Sequence, residues 1–487
     1  MSYLSLAFVA FVALLMILYY VVPKKGRGVL LLLGSIVFYG LYDLKYFAFL
    51  LATAGSTYLV ARVLDKIRHK KLLVALTVIF NAGIWFVIKE VPWLAAVFNH
   101  TLLEMGIVTD PQQWKWIVPV GISYYTLQAI GYLVDVSKGK IQAEKRFWKY
   151  LLFLSWFPAI VQGPISRYDQ LMPQLLNEKR YSFDTMRDSL VRILFGLVKK
   201  MVIADRLAIF VNAVFKDHAN LNGVILYLGA VGYAFQLYLD FSGCVDICRG
   251  VSGLFGVELA NNFNRPYLAR SIKDFWGKWH MSLSGWLKDY VYIPLGGNRK
   301  GSIRKYLNLM ITFLVSGLWH GAGYNFFLWG AMHGLYQIFG QSTYGIRSKI
   351  KKWIGIEEGS LSERIYQTMI TFNLVTLAWI VFRAGNIPTS VQYVTNMFTK
   401  ANWWVLFDGS LYTFGLSQNY IVFLAAHICG LFVLELCTKK QDDVVQTVNG
   451  LHLFARWAVY LVLIFDVLLF GVYGSGYDPS SFLYGGF

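Results

Sequence analysis

From Tyr306 to Ile346 the chain runs forty-one positions without an Asp, Glu, Lys or Arg. A water-soluble surface needs about 25% charged residues. Here 15% of 487 residues are charged and 56% are hydrophobic, and the mean hydropathy is +0.49. The run has the length of two membrane spans at roughly 20 residues each. Further apolar runs lie near 1–23, 29–42, 46–63, 72–92, 116–134, 148–164, 189–215, 220–242, 366–382, 412–435 and 454–474. At that span length the chain makes about 11 crossings, and the short or interrupted runs are expected to re-enter or lie in plane. No fixed-period repeat and no low-complexity linker divides it. The expectation is an all-α polytopic membrane protein, one integral-membrane domain over 1–487.

Charge sets the expected orientation. Residues 1–23 carry none, and Lys24, Lys25 and Arg27 follow, which reads as an uncleaved first span with its N-terminus outside. Basic clusters stand at Lys66–Lys71, Lys138–Lys149, Lys199–Lys200, Arg347–Lys352 and Lys439–Lys440. The segment 265–305 holds nine Lys/Arg against Asp274 and Asp289, so it is expected in the cytoplasm. The excess of 45 basic over 27 acidic residues suits membrane lipids with anionic headgroups or an anionic cytoplasmic donor. Hydropathy excludes a soluble nucleic-acid binder. Four cysteines make no disulfide framework, and no Cys/His spacing for zinc appears, so no metal is expected.

Chemistry-bearing residues collect in two places. Over Ser271–Tyr292, Trp279, Leu283, Trp286 and Tyr290 recur at i, i+4, i+7 and i+11, one stripe of an amphipathic basic helix lying in the membrane interface. His280 and Ser284 share a face beside the tryptophans, and Pro294-Leu-Gly-Gly-Asn298-Arg299 turns the chain ahead of the next span. The plain alternative is a surface-lying helix whose histidine has no special role.

In the charge-free run, His320 immediately precedes Gly321-Ala-Gly323, the expected break between two spans. Non-helical backbone at that depth is tolerated only where protein or water lines it, and a histidine there belongs in an interior or a watery cavity. Imidazole titrates near neutral pH, which suits a general base; a buried, satisfied ring is the alternative. His333, thirteen positions on, would face about 220° away in an unbroken helix, and so takes a supporting role. His69, His100, His218, His427 and His452 are read as ordinary residues of loops and span ends. Most of the 16 Trp and 31 Tyr are read as interface-belt or packing residues. No Gly-x-Ser-x-Gly elbow and no His followed five positions later by Asp is present. Gly296–Ser302 lacks the Lys before Ser that a P-loop needs.

The strings Asn262-Phe-Asn-Arg-Pro-Tyr267, Asp274-Phe-Trp-Gly-Lys-Trp-His280-Met-Ser-Leu-Ser284-Gly-Trp286, Leu318-Trp319-His320-Gly321 and Trp329-Gly-Ala-Met-His333-Gly334 together resemble the membrane-bound O-acyltransferase family, in its alginate O-acetylation branch. Pro119–Gln128, Gly163-Pro-Ile-Ser-Arg167, Tyr238-Leu-Asp-Phe-Ser-Gly243 and the closing Phe482–Phe487 agree. The core motifs lie within 115–340.

The resemblance implies a bundle of transmembrane helices around a central tunnel. It implies His320 at the family's near-invariant histidine and His280 at its second polar position. Trp319, Gly321, Trp279, Ser284, Trp286, His333, Asn298 and Arg299 would line the substrate path. It further implies transfer of an acyl group, acetyl in this branch, from acyl-CoA (acetyl-CoA) or an acyl carrier protein in the cytoplasm, with no permanently bound cofactor. An extracytoplasmic partner of the SGNH-hydrolase type would carry the group to a polysaccharide acceptor, with the enzyme in the cell membrane of a bacterium. D-alanyl transfer from a carrier protein to teichoic acid is the alternative within the family. Outside it stand a transporter, with Asp135, Asp240 and Asp466 as relay groups, and a non-catalytic scaffold of an export complex.

Overall fold

A computed structural model describes residues 1–487 except 106, 108–117, 178–179, 222, 400–401, 439–442, 475–476 and 478–487. The Lys439–Lys440 cluster, part of the 116–134 run and the Phe482–Phe487 tail therefore lie outside the described residues. The described residues are helical with connecting turns and contain no strand. They form two compact units: 1–193 with 247–260, and 194–246 with 261–477.

The first unit begins with α1 (Leu6–Val21), whose N-cap Ser5 accepts from the Phe8 amide. α2 (Lys24–Gly40) follows the break at Pro23. Gly34 lets α2 close on α1, since a Cβ there would lie 2.7 Å from Leu15 Cδ2. Then come α3 (Tyr46–Val63), α4 (Lys70–Lys89), α5 (Val91–Glu104), α6 (Ile122–Ser137), α7 (Phe147–Ser155), α8 (Tyr168–Leu176) and α9 (Phe183–Leu197). α9 runs on into the second unit. The apolar run at 148–164 does not cross as one span. Its helix stops after nine residues at Ser155, because Pro158, Gly163 and Pro164 break the hydrogen-bond ladder.

The second unit continues through a π-helical turn (Val198–Ala204) into α10 (Asp205–Lys216), then α11 (Gly223–Leu254), whose final turns fall in the first unit. Next come α12 (Ile272–Trp276), α13 (Met281–Leu287), α14 (Gly301–His320), α15 (Tyr324–Ser342) and α16 (Tyr344–Trp353). α17 (Leu361–Arg383), α18 (Ile387–Thr399), α19 (Gln418–Cys437), α20 (Asp443–Asn449) and α21 (Leu453–Phe465) complete it.

Six described helices are long and apolar enough to cross a membrane: Tyr46–Lys66, Lys70–Lys89, Gly223–Leu254, Leu361–Arg383, Gln418–Cys437 and Leu453–Phe470. Their outward faces are apolar. On α4, Leu72, Leu76, Ile79 and Phe80 are all more than half exposed, which only a lipid environment rewards. α11 is the exception, with most of its span window buried inside the protein. The chain is thus an all-α polytopic membrane protein.

Two local expectations change. Ser271–Tyr292 is not one in-plane helix: α12 ends at Trp276, α13 begins at Met281, and a π-helical turn takes Lys288–Tyr292. Between them His280 adopts a left-handed backbone, φ +42°, which a continuous helix cannot contain. His427 is not at a span end either. It lies within α19, where its ring contacts Phe423 O at 2.9 Å and Asp466 Oδ2 at 3.3 Å.

Candidate functional site

α14 and α15 form the frame. The break at Gly321–Gly323 falls where expected, with Gly323 at φ +140°, and the two helices fold back on each other. Their closest approach is set by glycine. A Cβ on Gly317 would lie 2.3 Å from Phe326 O, and one on Gly330 would lie 2.5 Å from Phe313 O. Backbone thus meets backbone three residues before His320 and one after Trp329. The ring of His320, on the last residue of α14, stands edge-to-face on Trp329 of α15, with centroids 4.9 Å apart.

His280 reaches the same region from another part of the chain. Asn262, fully buried, accepts the Met281 amide on its carbonyl and the Ser282 amide on Oδ1, both at 3.0 Å. Asn264 donates its amide to Lys278 O at 2.9 Å. These bonds from an earlier segment of the chain hold the start of α13 and the left-handed His280 in place. The His280 ring lies between Phe241 of α11, at 4.9 Å, and Trp319, at 5.9 Å. Trp319 lies 5.0 Å from His320, so the two histidines flank one indole.

His333 lies in the same cluster. Trp329 stands 4.9 Å from it, and Trp276 Nε1 donates to its Nδ1 at 3.2 Å. Only in one continuous helix would His333 face away from His320. The reversal at Gly321–Gly323 puts both rings against Trp329. All three histidines are buried, with relative exposures of 0%, 2% and 0% for His280, His320 and His333. Phe382 and Trp379 of α17 close the wall: Phe382 lies 5.5 Å from His320, and Trp379 stacks on Trp329 at 5.7 Å.

The other expected site residues divide. Trp319, Gly321, Trp279 and Trp286 are buried, and Trp279 packs on Trp379 at 5.1 Å. Ser284 is half-buried and donates to Trp279 O at 3.3 Å, while Trp286 packs on Tyr290. Asn298 and Arg299 are exposed on the turn before α14. A helix of twenty residues separates that turn from His320, about 30 Å at 1.5 Å per residue. They cannot share the histidines' reaction centre.

Trp379 and Phe382 went unmarked in the sequence, whereas Phe241 stands in the Tyr238–Gly243 motif. The two unmarked residues sit inside an apolar helical run, with no local signal setting them apart from lipid-facing residues. Among the described residues, no three His, Cys, Asp or Glu side chains converge as a metal shell. The acids weighed as relay groups are paired. Asp240 accepts from Lys200 at 2.5 Å, Asp135 lies 3.1 Å from Lys140, and Asp466 lies 3.3 Å from His427.

What remains is a wholly buried line of imidazoles and indoles, able to exchange a proton at an imidazole while excluding bulk water. A model of the membrane-bound O-acyltransferase family matches residues 30–354. A probable alginate O-acetylase of Pseudomonas syringae pv. tomato is 33% identical over 393 residues, covering 79% of this chain and 73% of that protein. A peptidoglycan O-acetyltransferase of Helicobacter pylori is 32% identical over 400 residues, covering 75% and 73%. A teichoic acid D-alanyltransferase of Bacillus subtilis is 28% identical over 274 residues, covering 54% and 68%. By family model and relatives together, the chain belongs to the membrane-bound O-acyltransferase family and is a multi-pass membrane acyltransferase.

Proposed function

We propose that this chain, as one integral-membrane domain over 1–487, moves an acetyl group from a cytoplasmic thioester toward hydroxyls of an extracytoplasmic polysaccharide. Acetyl-CoA is the donor, with an acyl carrier protein as the other thioester of the same chemistry. An SGNH-type partner outside the membrane hands the group on. The observation that carries the reading is His320: a buried imidazole at a glycine break, with His280 on the far side of Trp319. O-acetyl transfer is favoured over D-alanyl transfer because the acetyltransferase relatives cover three quarters or more of the chain, and the alanyltransferases about half.

The cations of 265–305 draw the phosphates of coenzyme A, or an acidic carrier, to the cytoplasmic mouth and raise the encounter rate. Asn298 and Arg299, exposed at the turn, suit that entrance. At the reaction centre His320 takes the proton of the attacking hydroxyl, a role worth roughly 10²–10⁴-fold. The hydroxyl oxygen bonds to the thioester carbon and the C–S bond breaks. The imidazolium returns its proton to the departing thiolate. His280 orients the acceptor or steadies the developing charge.

The test is thioester consumption by the purified protein in detergent, with acetyl-CoA beside D-alanyl carrier protein, followed by mass analysis of the polymer in cells. Acetyl-CoA turnover and loss of polymer O-acetyl groups on deletion are expected. Absence of turnover with both donors would return the chain to the transporter or scaffold readings.

A further inference from the structure

The aromatic cluster is rich in hydrogen-bond donors and poor in acceptors. An indole nitrogen only donates, so the bond from Trp276 Nε1 to His333 Nδ1 leaves the proton of neutral His333 on Nε2. That group and the indole N–H groups of Trp279, Trp329 and Trp379 are fully buried, and none meets an acceptor among the described residues. The four side chains are contiguous. Trp279 lies 5.1 Å from Trp379, Trp379 lies 5.7 Å from Trp329, and Trp329 lies 4.9 Å from His333. Native interiors pair nearly all such groups, and each exception calls for a reason. Four such donors on contiguous side chains beside a buried imidazole call for an acceptor that a ligand could supply.

Of the four, Trp329 is the donor whose ring stands against His320. Its position is fixed by the backbone contact at Gly330 and by stacking on Trp379. Building on the acyl-transfer reading above, we propose that the Trp329 indole N–H hydrogen-bonds the carbonyl oxygen of the acyl thioester and stabilises it as it becomes an oxyanion. When the acceptor oxygen adds to the carbonyl carbon, its proton passes to His320 and the C=O π pair moves onto the carbonyl oxygen. Trp329 donates to that oxygen. Collapse restores C=O, breaks C–S and sends the thiolate out with the proton from His320. A preplaced donor in a dry site is effective because it needs no reorganisation when the charge appears.

The experiment separates the N–H from the ring. β-(3-Benzothienyl)alanine is incorporated at position 329, which keeps the bicyclic shape and replaces N–H by sulfur. Trp329→Phe is made alongside. The full-length proteins are assayed in detergent for acetyl-CoA and acetyl-pantetheine turnover, with kcat and KM separated and thermal stability recorded.

The inference expects kcat at least about 10-fold lower for the benzothienyl protein, with KM and melting temperature near wild type. Trp329→Phe is expected to be at least as impaired. Wild-type kcat in the benzothienyl protein overturns the inference. So does a kcat loss matched by a collapse in melting temperature, since that assigns the indole to packing. A wild-type protein that turns over neither thioester overturns the acyl-transfer reading, and the inference falls with it. An active wild type beside an unimpaired benzothienyl protein removes the inference alone.

Discussion

Gly317→Ala tests whether the α14–α15 contact sets the reaction geometry. The added Cβ would lie 2.3 Å from Phe326 O, 3.2 Å from Phe326 C and 3.4 Å from Gly330 Cα. These are backbone atoms, so no side chain can swing aside. Relieving the first contact to an ordinary 3.4 Å requires the helices to part by about 1 Å, and overpacking of this kind costs about 1–3 kcal/mol. The same displacement moves His320 away from Trp329. A misplacement of about 1 Å at reacting groups can cost about 10²-fold in rate.

The expected result is a protein that inserts, melts earlier and binds acetyl-CoA normally, with kcat down by about 10²-fold. Gly340→Ala is the control. It lies on α15 with nothing within 4 Å of the added Cβ, and it should be neutral or stabilising by up to about 1 kcal/mol. Thermal unfolding followed by intrinsic fluorescence, together with steady-state thioester consumption, measures both quantities. A Gly317→Ala protein with wild-type kcat and melting temperature would show that the close contact positions nothing.

Three further expectations follow from the geometry. His320→Ala should fold, keep donor affinity near native and lose at least about 10²-fold in transfer; His280→Ala should be impaired less, and His333→Ala least. Wild-type turnover in His320→Ala refutes the base assignment. Lys200, 1% exposed, sits 2.5 Å from Asp240 and 2.7 Å from Asp205. Lys200→Met strands two carboxylates and should cost about 3–5 kcal/mol, read as lower yield and melting temperature, whereas undiminished stability would mean the pair contributes little. A cysteine at exposed Ser302 should react in intact cells only with membrane-permeant maleimides, because the nine cations of 265–305 predict a cytoplasmic segment; labelling by an impermeant reagent would refute that orientation.

What the sequence settled by itself was whatever depends on neighbours along the chain. Hydropathy is a local sum, so the membrane class, the apolar runs and the break at Gly321–Gly323 were legible. The spaced motifs around His280, His320 and His333 were legible too, and they pointed to the membrane-bound O-acyltransferase family to which the chain belongs. Periodicity failed over Ser271–Tyr292. The force that bends the chain at His280 comes from Asn262, eighteen residues earlier, whose bonds to Met281 and Ser282 outweigh helix continuation. Rotation per residue failed for His333 because a reversed chain has no single helical phase. The walls of the site were the least legible: Trp379 and Phe382 come from α17 and in sequence look like any other residue of an apolar span, while Phe241 of α11 stood out only as part of the Tyr238–Gly243 motif. Only packing decides whether such a side chain meets lipid or an imidazole, since burial depends on contacts between helices far apart in the chain.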